Sequence, residues 1–143
     1  MQRRWHFLLA HPLEPSQESA LRTYLTHHLR EWKTHGRPIS WNLQFPYQHF
    51  IEITAYGPVS GCATDTLFRT VQEASQICHI PLLKTEWIAV VKEGKVFVKK
   101  FYEIIKEYSL NQWDPTWQIL EPSEEGIQPV SLTESRLAIH LSK

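Results

Sequence analysis

Regular spacing of side chains along the chain predicts helices and strands over most of the first 110 positions. The longest helical stripe covers residues 21–32, where one face carries Leu21, Tyr24, Leu25, His28, Leu29 and Trp32. Ser16 is the expected N-cap of this helix. Gly36 is its expected end, because glycine adopts the left-handed C′ conformation and the following Pro38 cannot continue a helix.

Two shorter helical patterns follow. The first precedes Pro81 and has its apolar positions at Leu67, Phe68, Val71, Ala74 and Cys78. Thr64 or Asp65 is its expected N-cap. The second contains Phe101, Ile104, Ile105 and Tyr108, which predicts a short third helix.

Strands are predicted where apolar residues alternate with polar ones or form short continuous runs. Residues 39–45 and 49–56 form one predicted hairpin. Residues 87–91 and 95–99, joined by Glu93 and Gly94, form another. An apolar run at residues 5–10 adds a first strand.

The order of these elements is strand, helix, strand, strand, helix, strand. This βαββαβ order predicts an α+β fold in which helices cover one face of an antiparallel sheet, with a ferredoxin-like topology extended by a hairpin strand and a C-terminal helix. We expect a single domain over residues 1–110. Residues 111–143 are rich in turn-forming residues and predict an irregular extension that packs on this domain or on a partner subunit. Within it, residues 135–141 are expected to form an edge strand or to dock on that partner.

Composition and net charge indicate which classes of binding partner the chain favours. The chain has 143 residues, 15 basic and 15 acidic side chains, a net charge of zero and a pI near 7.1. Neither nucleic acid nor an anionic membrane is favoured by such a balance, whereas neutrality favours self-association, so we expect a homo-oligomer, most simply a dimer. The apolar run at residues 5–10 is too short for a signal peptide or a membrane span, which predicts a cytoplasmic protein with both cysteines reduced.

The turn before the second predicted helix is the best candidate site. It contains Ser60, Gly61, Cys62, Thr64 and Asp65 and leads from a strand into a helix N-terminus. Unpaired N–H groups and the positive end of the helix dipole stabilise an anion or a thiolate at such a position. The sequence therefore predicts a small-anion site there, while the same residue types are also ordinary capping and loop residues.

A thiol mechanism is the alternative chemistry. Cys62 would be the nucleophile or redox thiol, His35 or His49 the base, and Asp65 the group that orients the base.

The sequence lacks the motifs that would indicate an ATP-binding, metal-binding or RNA-binding site. Gly57 and Gly61 are too close for a Walker A loop, and no Lys follows Gly61, so ATP hydrolysis by this chain alone is not expected. The eight histidines show no metal-ligand spacing, so we expect no metal and no cofactor. The six tryptophans are scattered and no RNA-binding motif accompanies them.

Two short motifs carry a resemblance to a known family. Residues 32–36 read W-x-x-H-G and residues 60–65 read S-G-C-x-x-D. Together with Trp5 they resemble a family of short, uncharacterised bacterial proteins that are often labelled ABC transporter ATPases, and the similarity covers roughly residues 3–100. The resemblance implies no known activity, and it singles out Trp32, His35, Gly36, Ser60, Gly61, Cys62 and Asp65. The chain departs from the family in the loop before S-G-C, where only residues 56–59 replace a longer acidic segment.

Three functions are therefore weighed. The first is a non-enzymatic homo-oligomeric domain in which Trp32, His35 and the turn at residues 60–65 are structural or bind a small anion. The second is a thiol-dependent enzyme or redox protein that uses Cys62. The third, motivated by the tryptophan-rich C-terminal segment, is an accessory subunit of a larger assembly.

Overall fold

A computed structural model of the protein describes residues 1–141. The chain divides into two compact units, Met1–Leu82 and Leu83–Lys143. This division lies well before residue 110, where the sequence predicts the end of a single domain. Both units combine helices with antiparallel strands, so the predicted α+β class is confirmed.

The first unit contains the 3-10 helix Pro46–Gln48 and, among its described residues, two α-helices and five strands. They are β1 (Gln2–Leu8), α1 (Pro15–His28), β2 (Lys33–Thr34), β3 (Arg37–Pro38), β4 (Ser40–Gln44), β5 (Phe50–Tyr56) and α2 (Gly61–Ile77). A three-stranded antiparallel sheet has the order β1-β5-β4, with Ile53 of β5 opposite both Trp5 and Leu43. The predicted hairpin at residues 39–56 is thereby confirmed.

The core of the first unit lies on the sheet face that carries Trp5, Leu43 and Ile53. Leucines of α1 and apolar residues of α2 join the same buried cluster: Leu21, Leu25, Ala63, Leu67, Val71 and Ala74. Burying a Leu side chain stabilises a fold by about 1.5–3 kcal/mol. Amphipathic helices on one sheet face thus account for the apolar periodicity of this half of the chain.

Helix α1 is shorter than its apolar stripe predicts. Glu14, not Ser16, is the N-cap, and its backbone N–H donates to the Gln17 side chain at 3.0 Å. The helix ends at His28, and the expected end at Gly36 is wrong. Residues 35 and 36 instead form the tight turn of the β2–β3 hairpin, with φ of 51° at His35 and 78° at Gly36. A helix C′ position and a two-residue hairpin turn both need positive φ, so the glycine alone does not distinguish them.

Helix α2 begins one turn earlier than predicted. Its N-cap is Ser60 rather than Thr64 or Asp65, because the Ser60 hydroxyl accepts a hydrogen bond from the Ala63 N–H at 3.1 Å. Its end at Ile77, before Pro81, agrees with the sequence.

The first five elements of the predicted βαββαβ topology are present, but the final strand is not part of the same sheet. Strands β1 and β4 both run antiparallel to β5, which lies between them, as in a split βαβ arrangement. After α2 the chain returns beside β1 only at a single bridge between Leu9 and Leu82. The predicted six-element sheet is therefore wrong, because the strand at residues 87–92 finds its partners in the second unit.

The second unit is built around a four-stranded antiparallel sheet of order β7-β6-β8-β9. Its described elements are β6 (Trp87–Lys92), β7 (Lys95–Lys100), α3 (Phe101–Ser109), β8 (Gln118–Ser123), β9 (Gly126–Val130) and the 3-10 helices Leu132–Glu134 and Arg136–His140. The predicted hairpin around Glu93 and Gly94 and the third helix are confirmed. The core contains Ile88, Val90, Ile104, Ile119, Leu132 and Leu137.

The segment predicted to be irregular contains two strands of this sheet. Pro122 and Pro129 conceal β8 and β9 in the sequence, because proline lacks the N–H that a central strand needs. Here Pro129 lies on the edge strand β9, and Pro122 lies beyond the part of β8 that pairs with β6. Residues 136–140 form a 3-10 helix that buries Leu137, rather than the expected edge strand. Docking of that segment on a partner remains a prediction.

Candidate functional site

Two hydrogen bonds join the β2 region to the start of α2. The indole N–H of Trp32 donates to the carbonyl oxygen of Ala63 at 2.8 Å, and the N–H of Ser60 donates to the hydroxyl of Thr34 at 2.8 Å. We call Trp32, Thr34, Ser60 and Ala63 the clasp. The two motifs singled out in the sequence therefore meet in space, although the contact uses Thr34 and Ala63 rather than His35 and Cys62.

The clasp is anchored in the core of the first unit. Trp32 is 4% exposed, and its ring packs edge-on against Trp5, with ring centroids 6.1 Å apart. An indole buried in this way must pair its N–H, because an unsatisfied buried donor costs about 1–3 kcal/mol. The bond to Ala63 meets this requirement and fixes the first turn of α2.

Several polar groups of this turn are used by the helix itself. The hydroxyl of Ser60 caps the Ala63 N–H, and the Thr64 hydroxyl donates to the Ser60 carbonyl oxygen at 2.9 Å. The N–H groups of Gly61 and Cys62 remain without an acceptor in residues 1–141, and both residues are exposed. They are the donors that the site offers to a ligand.

The three residues proposed for thiol chemistry are not linked to one another. His35, Cys62 and Asp65 are all exposed, and no hydrogen bond or ion pair within the described chain joins any two of them. Both cysteines are free thiols. Cys78, at the other end of α2, is half-buried, and burial raises its pKa.

His49, the other candidate base, lies at the far end of β5 from this turn. Seven strand residues separate the two ends, about 23 Å at ~3.3 Å per residue. The His49 side chain is buried, and its Nε2 has no partner among the residues described. Burial and, to a smaller degree, the nearby His11 lower the pKa of His49, so the imidazole is held neutral.

An ionic cluster that the sequence analysis missed lies on the β1-β5-β4 sheet, on the face opposite the one that carries Trp5 and Ile53. His6 and Glu52 are directly paired across β1 and β5, with 2.8 Å between Nε2 and Oε2, and Arg4 approaches the same carboxylate at 3.4 Å. The alternation of β5 placed Glu52 on this face, but the register that brings His6 opposite it is a tertiary feature. Across residues 1–141 no group of three metal-ligating side chains comes together.

Aromatic and basic residues gather in the second unit. Trp117 lies between Phe97 and Trp113, at centroid distances of 5.1 and 6.4 Å. Two of the nearby lysines are bound by carboxylates: Lys92 binds Asp114 at 3.0 Å, and Lys99 binds Glu107 at 2.8 Å. Spacing in the sequence does not show this cluster, because its members come from three separate segments.

Comparison with known proteins identifies no relative. No protein-family model, curated protein or solved structure matches the chain. None of the helices described is both long enough and apolar enough to cross a membrane.

Proposed function

We propose that the protein is a non-enzymatic binding domain in which the first turn of α2 holds a small anion. The observation that carries the proposal is the pair of exposed N–H groups of Gly61 and Cys62, which lack protein acceptors in the described structure and point out of a helix N-terminus. The helix dipole adds a partial positive charge at the same place.

The clasp supports this proposal because it holds the donors in position before a ligand arrives. Trp32 and Thr34 attach the turn to the core through two bonds of 2.8 Å. A preorganised turn loses little conformational entropy on binding. No Lys or Arg occurs in residues 57–66, so we expect weak binding of a small anion such as phosphate or sulfate rather than tight binding of a nucleotide.

Substitution of Gly61 provides a sharp test. Gly61 is the first residue of α2, and the backbone of Ser60 is extended, with φ −73° and ψ 167°. Proline is favoured at a first helical position and removes only the N–H, whereas alanine keeps it. We expect inorganic phosphate, at constant ionic strength, to shift the Cys62 amide resonance in the wild type and in Gly61→Ala, and to bind several-fold more weakly to Gly61→Pro. Equal binding by the two variants, or no shift at Gly61 and Cys62 in the wild type, would contradict the proposal.

We also propose that the chain forms a homodimer in the cytoplasm. Its zero net charge and several exposed apolar side chains, including Ile77 at 60% and Leu110 at 54% exposure, favour self-association. Two free cysteines fit a reducing compartment. Light scattering after size-exclusion chromatography should give twice the chain mass of 16.9 kDa, and a single-chain mass would rule out the dimer.

A thiol-dependent activity is the second candidate, favoured by the exposure of Cys62 on the first turn of a helix. Alkylation by iodoacetamide separates it from the first. The Cys78→Ser variant retains only Cys62, so its alkylation rate is that of Cys62. The Cys62→Ser variant retains only the half-buried Cys78 and serves as the matched control. If Cys62 reacts at pH 7 no faster than a free thiol in a peptide, thiol chemistry is rejected.

A further inference from the structure

We propose that the second unit binds a neutral sugar ring in a pocket between the end of α3 and the 3-10 helix Leu132–Glu134. The pocket has a volume of about 310 Å³, at the lower end of the range of small-molecule sites. It is lined by Tyr108, Asn111, Trp113, Pro115, Ser131, Leu132 and Thr133. This site is separate from the proposed anion site, which lies in the first unit.

The charge around the pocket favours a neutral ligand. None of the seven lining residues is Asp, Glu, Lys, Arg or His. Lys99 lies 6.0 Å from the ring of Trp113, but its ammonium group is bound by Glu107. With Lys99 paired and no cation among the seven lining residues, the pocket lining offers no positive charge to the phosphate groups of a nucleotide or a nucleic acid.

The polar groups of the pocket match hydroxyl groups, each of which both donates and accepts a hydrogen bond. The Ser131 hydroxyl donates to the Glu134 carboxylate at 3.2 Å and accepts from the Thr133 hydroxyl at 3.5 Å, which leaves lone pairs on both oxygens as acceptors for a ligand. The side-chain amide of Asn111 has no protein partner in the described residues, so it offers one acceptor and two donors. A proline-rich peptide would bring carbonyl acceptors but few N–H donors, so the acceptor oxygens of Ser131 and Thr133 would receive no hydrogen bond from it.

Two aromatic side chains complete the pocket. Trp113 is half-buried and packs against the core of the second unit, while Tyr108 is 36% exposed. The faces of aromatic rings carry negative charge density and attract weakly positive C–H groups, such as those on the apolar face of a sugar ring. Two aromatic side chains in the lining, beside uncharged hydroxyl and amide groups, therefore fit a ring that is apolar on one side and hydroxylated at its edge.

Amide NMR of the full chain tests the proposal with defined probes. Glucose, galactose, mannose and N-acetylglucosamine would be added separately. We expect at least one of them to cause saturable shifts in residues 108–115 and 131–133, and none at Gly61 and Cys62. If none of the four does so at the highest concentrations that the titration allows, the proposal is overturned. It is likewise overturned if inorganic phosphate or a polyproline peptide shifts these amides and the sugars do not.

Two conservative variants locate the contacts. Thr133→Val removes a hydroxyl at constant shape, and Asn111→Gly removes the amide while accommodating the positive φ of 59°. Each should weaken sugar binding by about three- to tenfold, the expected effect of one lost hydrogen bond. Thr23→Val, at an exposed position of α1, is the matched control and should bind as the wild type does. Equal sugar affinity in all three variants would overturn the assignment of the pocket.

Discussion

The clasp of the first unit and the pocket of the second unit contain similar side chains that have different partners. Each combines an indole with hydroxyl groups. In the clasp, the Trp32 indole and the Thr34 hydroxyl are bonded to the backbone of α2. In the pocket, Trp113 is only half-buried, and the amide of Asn111 has no partner among residues 1–141. Thus the side chains of Trp32 and Thr34, which belong to a sequence motif, hold the first turn of α2 in place, whereas the side chains that line the pocket belong to no motif.

The largest expected difference lies between the losses of stability caused by truncating Trp32 and Trp113. Trp32→Ala should destabilise the first unit by about 3–5 kcal/mol, because it leaves a core cavity and removes the bond between the indole and the Ala63 carbonyl. Trp113→Ala should cost about 1–2 kcal/mol, since its side chain is only partly buried. Urea-dependent hydrogen exchange at Ile53 and Val90, on the central strands, reports on each unit separately. A larger loss for Trp113→Ala than for Trp32→Ala would reverse the comparison.

The same substitution in both regions sharpens the contrast. Thr34→Val removes the acceptor of the Ser60 N–H and should cost about 1–2 kcal/mol, because this half-buried donor is left unpaired. Thr133→Val, at an exposed position, should change stability by about 0.5 kcal/mol or less. Chemical denaturation of both variants measures the difference, and similar losses would show that Thr34 has no special structural role.

The smallest expected effects are losses of folding stability in two separate ranges of pH. The pKa of His49 is lowered by burial and by His11, so protonation below about pH 6.5 favours the unfolded chain. Its contribution to stability is complete above that pH and declines as the pH falls. The pKa of Asp114 is lowered by hydrogen bonds from Thr116 and Lys92, so its contribution is complete above the ordinary pKa of 3.8 and is lost in stronger acid.

Denaturation from pH 7 downward tests the assignment of these windows. His49→Gln should reduce the loss of stability below about pH 6.5 and leave the loss in stronger acid unchanged. Asp114→Asn should reduce the loss in stronger acid and leave the loss near neutral pH unchanged. If His49→Gln retained the full loss of stability between neutral pH and about pH 5, another group would be responsible.

Much of the secondary structure could be predicted because its signals are local. The alternation at residues 39–45 and the turn at Glu93 and Gly94 place the strands correctly, and the buried faces of both helices of the first unit follow their apolar spacing. The errors occur where two structures share one local signal. Gly36 has the positive φ of a helix end and also of a hairpin turn, and the prolines of β8 and β9 look like breakers although they occupy an edge or an unpaired end.

The candidate site shows the same limit. A helix start in the turn at residues 60–65 could be recognised from residue types, but the sequence placed the N-cap at Thr64 or Asp65 because Ser60 is of the same capping class. The role of Thr34 could not be recognised from the sequence, because it depends on the β2–β3 hairpin placing the Thr34 hydroxyl against the Ser60 N–H. The pocket of the second unit likewise combines residues 108–115 with residues 131–133, which are separated by a complete β-hairpin.

The sequence by itself determined the α+β class, the two main hairpins, the apolar faces of the helices and the neutral charge that disfavours polyanions. The tertiary structure alone decided which strands share a sheet, that residues 87–92 pair with β7 and β8 rather than with β1, and that Trp32 meets Ala63. The physical reason is one of range. Helical and strand periodicities follow from the geometry of neighbouring residues, whereas strand pairing and buried hydrogen bonds depend on contacts between segments far apart in the chain.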